Sequence, residues 1–158
     1  KTAQLTLQVA GRAGRGEKPG HVIIQTRNPE HPLLQELLRG DYDSFANAEL
    51  KEREVAVFPP YSYQLLLRAE SSSAQKTDDF LEQAAEVARE LLKNVEIWGP
   101  VPAPMERKAG HFRGHLLLQA AERATLHAYI DSWSQRLRKI KTARSVRWSL
   151  DIDPQEQL

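Results

Sequence analysis

Arg12 and Arg15 stand three residues apart in Gln8-Val9-Ala10-Gly11-Arg12-Ala13-Gly14-Arg15-Gly16, two permanently charged planar groups set among glycines. Guanidinium forks bind phosphate oxygens bidentately, so two of them aimed at one point suit a polyphosphate. A helix read backwards from Gly11 carries Gln4, Gln8 and Arg12 in one row at i, i+4 and i+8, with Leu5 and Val9 in an apolar row beside it. Gly11 and Gly14 weaken that helix and permit a tight turn, so Arg15 leaves it yet points back toward the place Arg12 addresses. The plain alternative is a glycine-rich surface loop with solvated arginines. The chain has no Gly-rich loop followed by Lys-Ser or Lys-Thr, no nucleophile elbow and no cysteine. Arginines doing phosphate chemistry here would therefore complete a site built by other residues.

A second set is Arg107, Lys108, His111, Phe112 and Arg113, in and beside a predicted hairpin loop. Cations mixed with an aromatic ring suit a single strand or a fork in DNA; an ordinary exposed hairpin is the alternative. Arg123 falls near a predicted helix N-terminus, on a face with Arg138, Lys139 and Lys141, where an acidic peptide would be welcome and a solvated helix face is the plainer reading. His111 and His115 would share a metal ion on a helix, but on a strand four residues span about 13 Å, too far for two ligands to meet. Asp151 and Asp153 share a strand face without a third acid nearby, which favours a charge pair over a cation site.

The elements that must position these groups fall into two parts. His21 to Thr26 is a β-branched apolar run between breakers, which predicts a buried, parallel strand. A short helix from Leu33 to Leu38 and a longer one from Ser44 to Val55, capped by Asp41 or Asp43, follow; Glu49 and Arg53 are placed at i, i+4 on its solvated side. Pro59-Pro60 ends the helical stretch and marks a domain boundary. Beyond it the pattern predicts a strand at Tyr63 to Ala69 and a helix capped by Thr77, with Asp78 and Asp79 in its first turn and a stripe of Phe80, Ala84, Val87 and Leu91. A strand from Val95 to Trp98, broken by Gly99-Pro100-Val101-Pro102-Ala103-Pro104, precedes another from Phe112 to Gln119. A helix from Glu122 to Ile140 carries Leu126, Ile130, Trp133 and Leu137 on one side, and a strand from Val146 to Ile152 completes β-α-β-β-α-β, the split βαβ order of ferredoxin-like α+β domains.

Composition narrows the partners. The net charge of +1 comes from 22 basic and 21 acidic side chains, so any nucleic-acid surface must be a local patch. Absence of cysteine excludes disulfides and cysteine-based zinc sites within these residues. No apolar run approaches the ~20 residues of a membrane span and no signal-peptide pattern opens the chain, which reads as cytoplasmic and soluble. Starting at Lys1 inside an amphipathic segment, the chain is expected to be the C-terminal part of a longer protein.

Gln8-x-x-Gly11-Arg12-x-Gly14-Arg15 resembles motif VI of superfamily 2 helicases. Asn-Pro-Glu-His-Pro at 28–32, Phe-Pro-Pro-Tyr at 58–61, Trp-Gly-Pro-Val-Pro-Ala-Pro at 98–104 and the ending Trp-Ser-Leu-Asp-Ile-Asp-Pro at 148–154 extend the resemblance over nearly the whole chain, to the bacterial primosomal protein N′ family of replication-restart DNA helicases. The resemblance implies that residues 1–56 are the α/β end of the second RecA-like helicase lobe and that 57–158 are the family's C-terminal α+β domain. It implies ATP and Mg²⁺ bound mainly by residues outside this chain, and a zinc region upstream. Arg12 and Arg15 would approach the γ-phosphate, with Arg15 as arginine finger; Gln8, with Gly11 and Gly14, would couple the cleft to DNA. The implied activity is ATP-dependent 3′ to 5′ unwinding at stalled or abandoned forks, in the nucleoid. The implied partners are forked or single-stranded DNA, primosome proteins and the single-stranded-DNA-binding protein, whose acidic tail is a candidate ligand for Arg123. A non-enzymatic nucleic-acid or protein-binding α+β module is the alternative that the residues leave open.

Overall fold

The computed structural model describes residues 5, 6, 8, 9, 12, 21–39 and 42–154. The chain divides into two compact units, Lys1–Val55 and Ala56–Leu158. In the first unit Leu5, Thr6, Gln8 and Val9 are helical and Arg12 lies in a turn, its backbone N–H donating to the Val9 carbonyl at 3.1 Å. Helix α1 (Pro32–Leu38) opens on a proline, which loses nothing in a first turn whose N–H groups have no intrahelical acceptor. Helix α2 (Tyr42–Val55) begins before the predicted Ser44, with Asp43 in its first turn; the other predicted cap, Asp41, lies outside the described residues. Leu37 of α1 and Phe45 of α2 are the buried hydrophobic side chains among the described residues of this unit, and Arg53 and Glu49 form the anticipated i, i+4 pair at 2.8 Å. Half-exposed, that pair contributes a few tenths of a kcal/mol.

One expectation fails in this unit. Residues 21–26 form no strand, and Ile23 is 93% exposed. A strand exists only through its ladder, and among the described residues of 1–55 there is no other strand to pair with. The apolar run satisfies the composition of a buried strand without the neighbour that would bury it.

The second unit has the predicted element order. Strand β1 (Tyr63–Ser71) leads to helix α3 (Ala74–Leu91), then strands β2 (Glu96–Lys108) and β3 (His111–Ala120) form a hairpin. Helix α4 (Arg123–Lys139), a 3₁₀ turn (Lys141–Ser145) and strand β4 (Arg147–Ile152) follow. The sheet order is β2-β3-β1-β4 with every neighbouring pair antiparallel, an α+β architecture compatible with a ferredoxin-like fold. Both helices cover one face. Leu65, Leu67 and Ala69 of β1 and Leu116, Leu118 and Ala120 of β3 meet Phe80, Ala84 and Ala88 of α3 and Leu126, Trp133 and Leu137 of α4, the stripes that helical spacing predicts. Trp133 is fully buried, and its indole N–H donates to the Ala84 carbonyl at 3.3 Å.

Three local details depart from the sequence reading. Ser73, not Thr77, is the N-cap of α3, accepting from the Lys76 N–H, so Asp78 and Asp79 fall in the second turn, beyond most of the dipole benefit. Thr77 is instead buried, its hydroxyl 2.9 Å from that of Ser71. Strand β2 does not end at Gly99 but runs through Pro100, Pro102 and Pro104. It is an edge strand, so a proline's missing N–H costs no second ladder, and two register shifts, between Trp98 and Val101 and between Pro102 and Arg107, absorb the irregularity. Gly114 lets α3 sit down on β3, since a Cβ there would stand 2.6 Å from Leu81 Cδ1.

Candidate nucleic-acid interface

Helices α3 and α4 cover one sheet face, so alternate side chains of each strand project to the other. On β1 these are Gln64, Leu66, Arg68 and Glu70, opposite Gln119, Leu117, His115 and Arg113 of β3. Arg147, Ser149 and Asp151 of β4 lie on the same face, through pairing with Glu70, Arg68 and Leu66. One end of this face is closed: Gln64 donates to Gln119 at 2.7 Å, Gln119 donates to the Val57 carbonyl at 3.3 Å, and Leu66 and Leu117 are buried. The other end is charged and open.

Ala109 and Gly110 both have positive φ, 49° and 82°, the two-residue turn that closes the β2–β3 hairpin with the right twist. Register then divides the predicted basic cluster. Lys108 pairs with His111 on the open face, alongside Arg113, whereas Arg107 pairs with Phe112 on the opposite face. The Arg107 guanidinium lies 5.2 Å from the Phe112 ring centroid, a cation–π contact that occupies both. The cluster is thus two sites back to back.

Lys108, His111 and Arg113 instead join residues remote in sequence. A cavity of about 580 Å³ runs from Lys108 and His111 past Ser145 to Arg113, Glu70 and Arg147. A second, of about 240 Å³, continues from those three to Arg68, His115 and Ser149. Arg68 is held by Asp151 at 2.8 Å, whereas Glu70 sits 3.8 Å from Arg113 and 3.4 Å from Arg147. The lining carries four cations, Arg68, Lys108, Arg113 and Arg147, against one acid, Glu70. Burial lowers the pKa of His115, and the charges of Arg68 and Arg113 lower it further, so the imidazole is neutral. Such a groove concentrates anions and disfavours cations. Arg68 and Arg147 escaped the sequence reading because only strand register brings them to the hairpin, the alternation of β1 and β4 being their one visible signal; His115 entered it only as a metal-ligand candidate set aside on strand spacing.

Arg123, the first residue of α4, pairs with Asp153 at 3.0 Å, and both side chains are substantially exposed. Asp151 and Asp153 therefore serve separate arginines. Among the described residues no three His, Cys, Asp or Glu gather as metal ligands, and no helix is long and apolar enough to cross a membrane. Gln8 and Arg12 are exposed; Gly11, Gly14 and Arg15 lie outside the described residues.

Comparison with known proteins adds the relationship. Residues 54–155 match the family described as Primosomal protein N C-terminal domain. A "Replication restart protein PriA" of Haemophilus influenzae is 38% identical over 157 residues, 99% of this chain and 21% of that protein. Proteins of the same name from Synechocystis and Bacillus subtilis are 37% and 32% identical, over 96% and 98% of this chain and 18% and 19% of theirs. The chain spans about a fifth of the length of these relatives. Among solved structures, the de novo designed protein Foldit4 aligns with TM-score 0.46 at 9% identity over 60% of this chain and 99% of its own, a likeness too remote to bear on the fold.

Proposed function

The chain belongs to the primosomal protein N family, whose C-terminal domain its residues 54–155 match, and we propose that it is the C-terminal part of an ATP-dependent 3′ to 5′ DNA helicase acting in replication restart. The observation that carries this is the extent of the alignment. The Haemophilus relative matches 99% of the chain, so the likeness takes in the Gly11–Gly16 segment as well as the sheet domain. A binding module that had merely acquired a basic loop would share only the latter.

In this reading residues 1–56 end the second RecA-like lobe, and residues 57–158 present a DNA-binding face. Gln8 and Arg12, exposed at a helix end and the following turn, fit contact with a polyphosphate held by residues outside this chain. Magnesium-bound ATP would supply the transferable phosphoryl group. Arg12 orients its oxygens, Arg15 completes the charge stabilisation as arginine finger, and Gln8 couples the cleft to DNA. Zinc belongs to other parts of the protein. On the sheet domain, Lys108, His111 and Arg113 meet the backbone of a fork or single strand. Arg123, already holding the Asp153 carboxylate, offers the acidic tail of a single-stranded-DNA-binding protein a matching charge. Primosome proteins are the further partners.

Arg15→Ala in the full-length protein tests the helicase reading. DNA-stimulated ATP hydrolysis should fall about 10³-fold or more while ATP binding persists. Turnover near that of the wild type would refute the finger role.

A further inference from the structure

The charged end of the open sheet face contains a group that the hairpin cations do not account for. His115 is only 3% exposed, and neither ring nitrogen has a hydrogen-bond partner. A neutral imidazole carries one N–H donor, and buried donors are ordinarily satisfied. This one lines the 240 Å³ cavity together with Arg68, Arg113, Arg147 and Ser149. The donor is buried in protein yet borders a space that three guanidiniums make attractive to an anion.

Glu70 is the only acid in that lining. Its carboxylate lies 3.8 Å from Arg113 and 3.4 Å from Arg147, whereas a charge-assisted hydrogen bond is about 2.7–2.9 Å. Arg68 is differently placed, fixed by Asp151 at 2.8 Å. Two guanidiniums thus hold one carboxylate loosely, where a tetrahedral anion would engage both more closely.

We propose that this pocket seats one phosphodiester group of a single-stranded nucleic acid, with His115 donating to it and Glu70 acting as the resident competitor that it displaces. The proposal rests on the reading that the hairpin face binds nucleic acid, and deepens it. A repeating anion fits better than a peptide carboxylate. The pocket continues through Glu70, Arg113 and Arg147 into the larger cavity that ends at Lys108 and His111, so successive phosphates find successive cations. The apolar lining is limited to Ala69, Trp148 and Ala109, too little to anchor peptide side chains. A flexible single strand can dip a phosphate toward a buried imidazole, which the rigid backbone of a duplex cannot.

The experiment measures affinity of the full-length protein for labelled oligo-dT across a salt series. Glu70→Gln, Arg147→Ala and His115→Gln are compared with Glu82→Gln, an exposed acid on α3, the helix that packs on the opposite sheet face. Glu70→Gln should tighten binding about twofold to fivefold, beyond any effect of Glu82→Gln. Arg147→Ala should weaken binding and reduce the salt slope by about 0.7. His115→Gln should weaken it with the slope unchanged. Arg147 is 87% exposed in its side chain, so its replacement leaves folding intact should His115→Gln not. If Glu70→Gln matches Glu82→Gln and Arg147→Ala keeps the full slope, the pocket is overturned. An acidic peptide that competes for the pocket where oligo-dT does not would overturn it as well. The variant Lys108→Ala separates the two levels: weakened binding there with inert pocket variants removes the pocket alone, and unchanged binding in every variant removes the underlying reading too.

Discussion

Replacing His115 with leucine is expected to stabilise the sheet domain while weakening its grip on nucleic acid. Both ring nitrogens are buried without partners in the native fold, whereas water satisfies them in the unfolded chain. An unsatisfied buried polar group costs about 1–3 kcal/mol, and leucine of similar size removes it. The gain depends on pH with a definite sign. Burial and the neighbouring arginines lower the folded pKa below the ordinary 6.5. As pH falls below that value the unfolded state takes up a proton the native state refuses, so the wild type loses up to about 1.4 kcal/mol per pH unit until its folded pKa is reached. The leucine variant has no such loss, and its advantage widens on acidification. Native-state hydrogen exchange at the amides of Leu116, Leu117 and Leu118 reads this locally, in the full-length protein, where a single global unfolding energy has no clear meaning. Protection in His115→Leu should exceed that of the wild type by about 5- to 150-fold at pH 7.5, and by more at pH 5.5. Equal or lower protection at both pH values would refute the reasoning.

Gly114→Ala brings a Cβ to 2.6 Å from Leu81 Cδ1, and because Leu81 is buried its side chain must leave its packed position or α3 must give; a destabilisation of about 1–3 kcal/mol, read in the same exchange experiment, is the expected result. Arg123→Ala breaks a half-exposed pair with Asp153, which stabilises by no more than about 1 kcal/mol, so melting should barely change while affinity for an acidic tail peptide falls. Unchanged peptide affinity, measured by calorimetry, would move that partner to another surface.

Legibility of the fold followed the strength of periodicity. The stripe of Phe80, Ala84 and their neighbours, and that of Leu126, Trp133 and Leu137, identify both helices because each must bury one face on a sheet. Prolines 100, 102 and 104 hid the continuation of β2, since composition does not tell an edge strand from a loop. His21 to Thr26 misled in the opposite direction: its composition satisfies a strand that has no ladder partner among the described residues. The site was half legible. Arg107, Lys108, His111, Phe112 and Arg113 are adjacent in sequence, but alternation sends Arg107 and Phe112 to one face and the other three to the opposite one. Arg68 and Arg147 reach the groove only through the pairing of β1 with both β3 and β4, a relation between distant residues that spacing along the chain does not reveal.

The central claim, that the open sheet face meets DNA, is tested most directly by the salt dependence of forked-DNA binding in the full-length protein carrying Arg107→Ala, Lys108→Ala and Arg113→Ala. Register places Lys108 and Arg113 on the groove and Arg107 against Phe112 on the other side. Two phosphate contacts are therefore lost rather than three, and the account predicts weaker binding with a slope shallower by about 1.4–1.8. Affinity and slope equal to those of the wild type would contradict it.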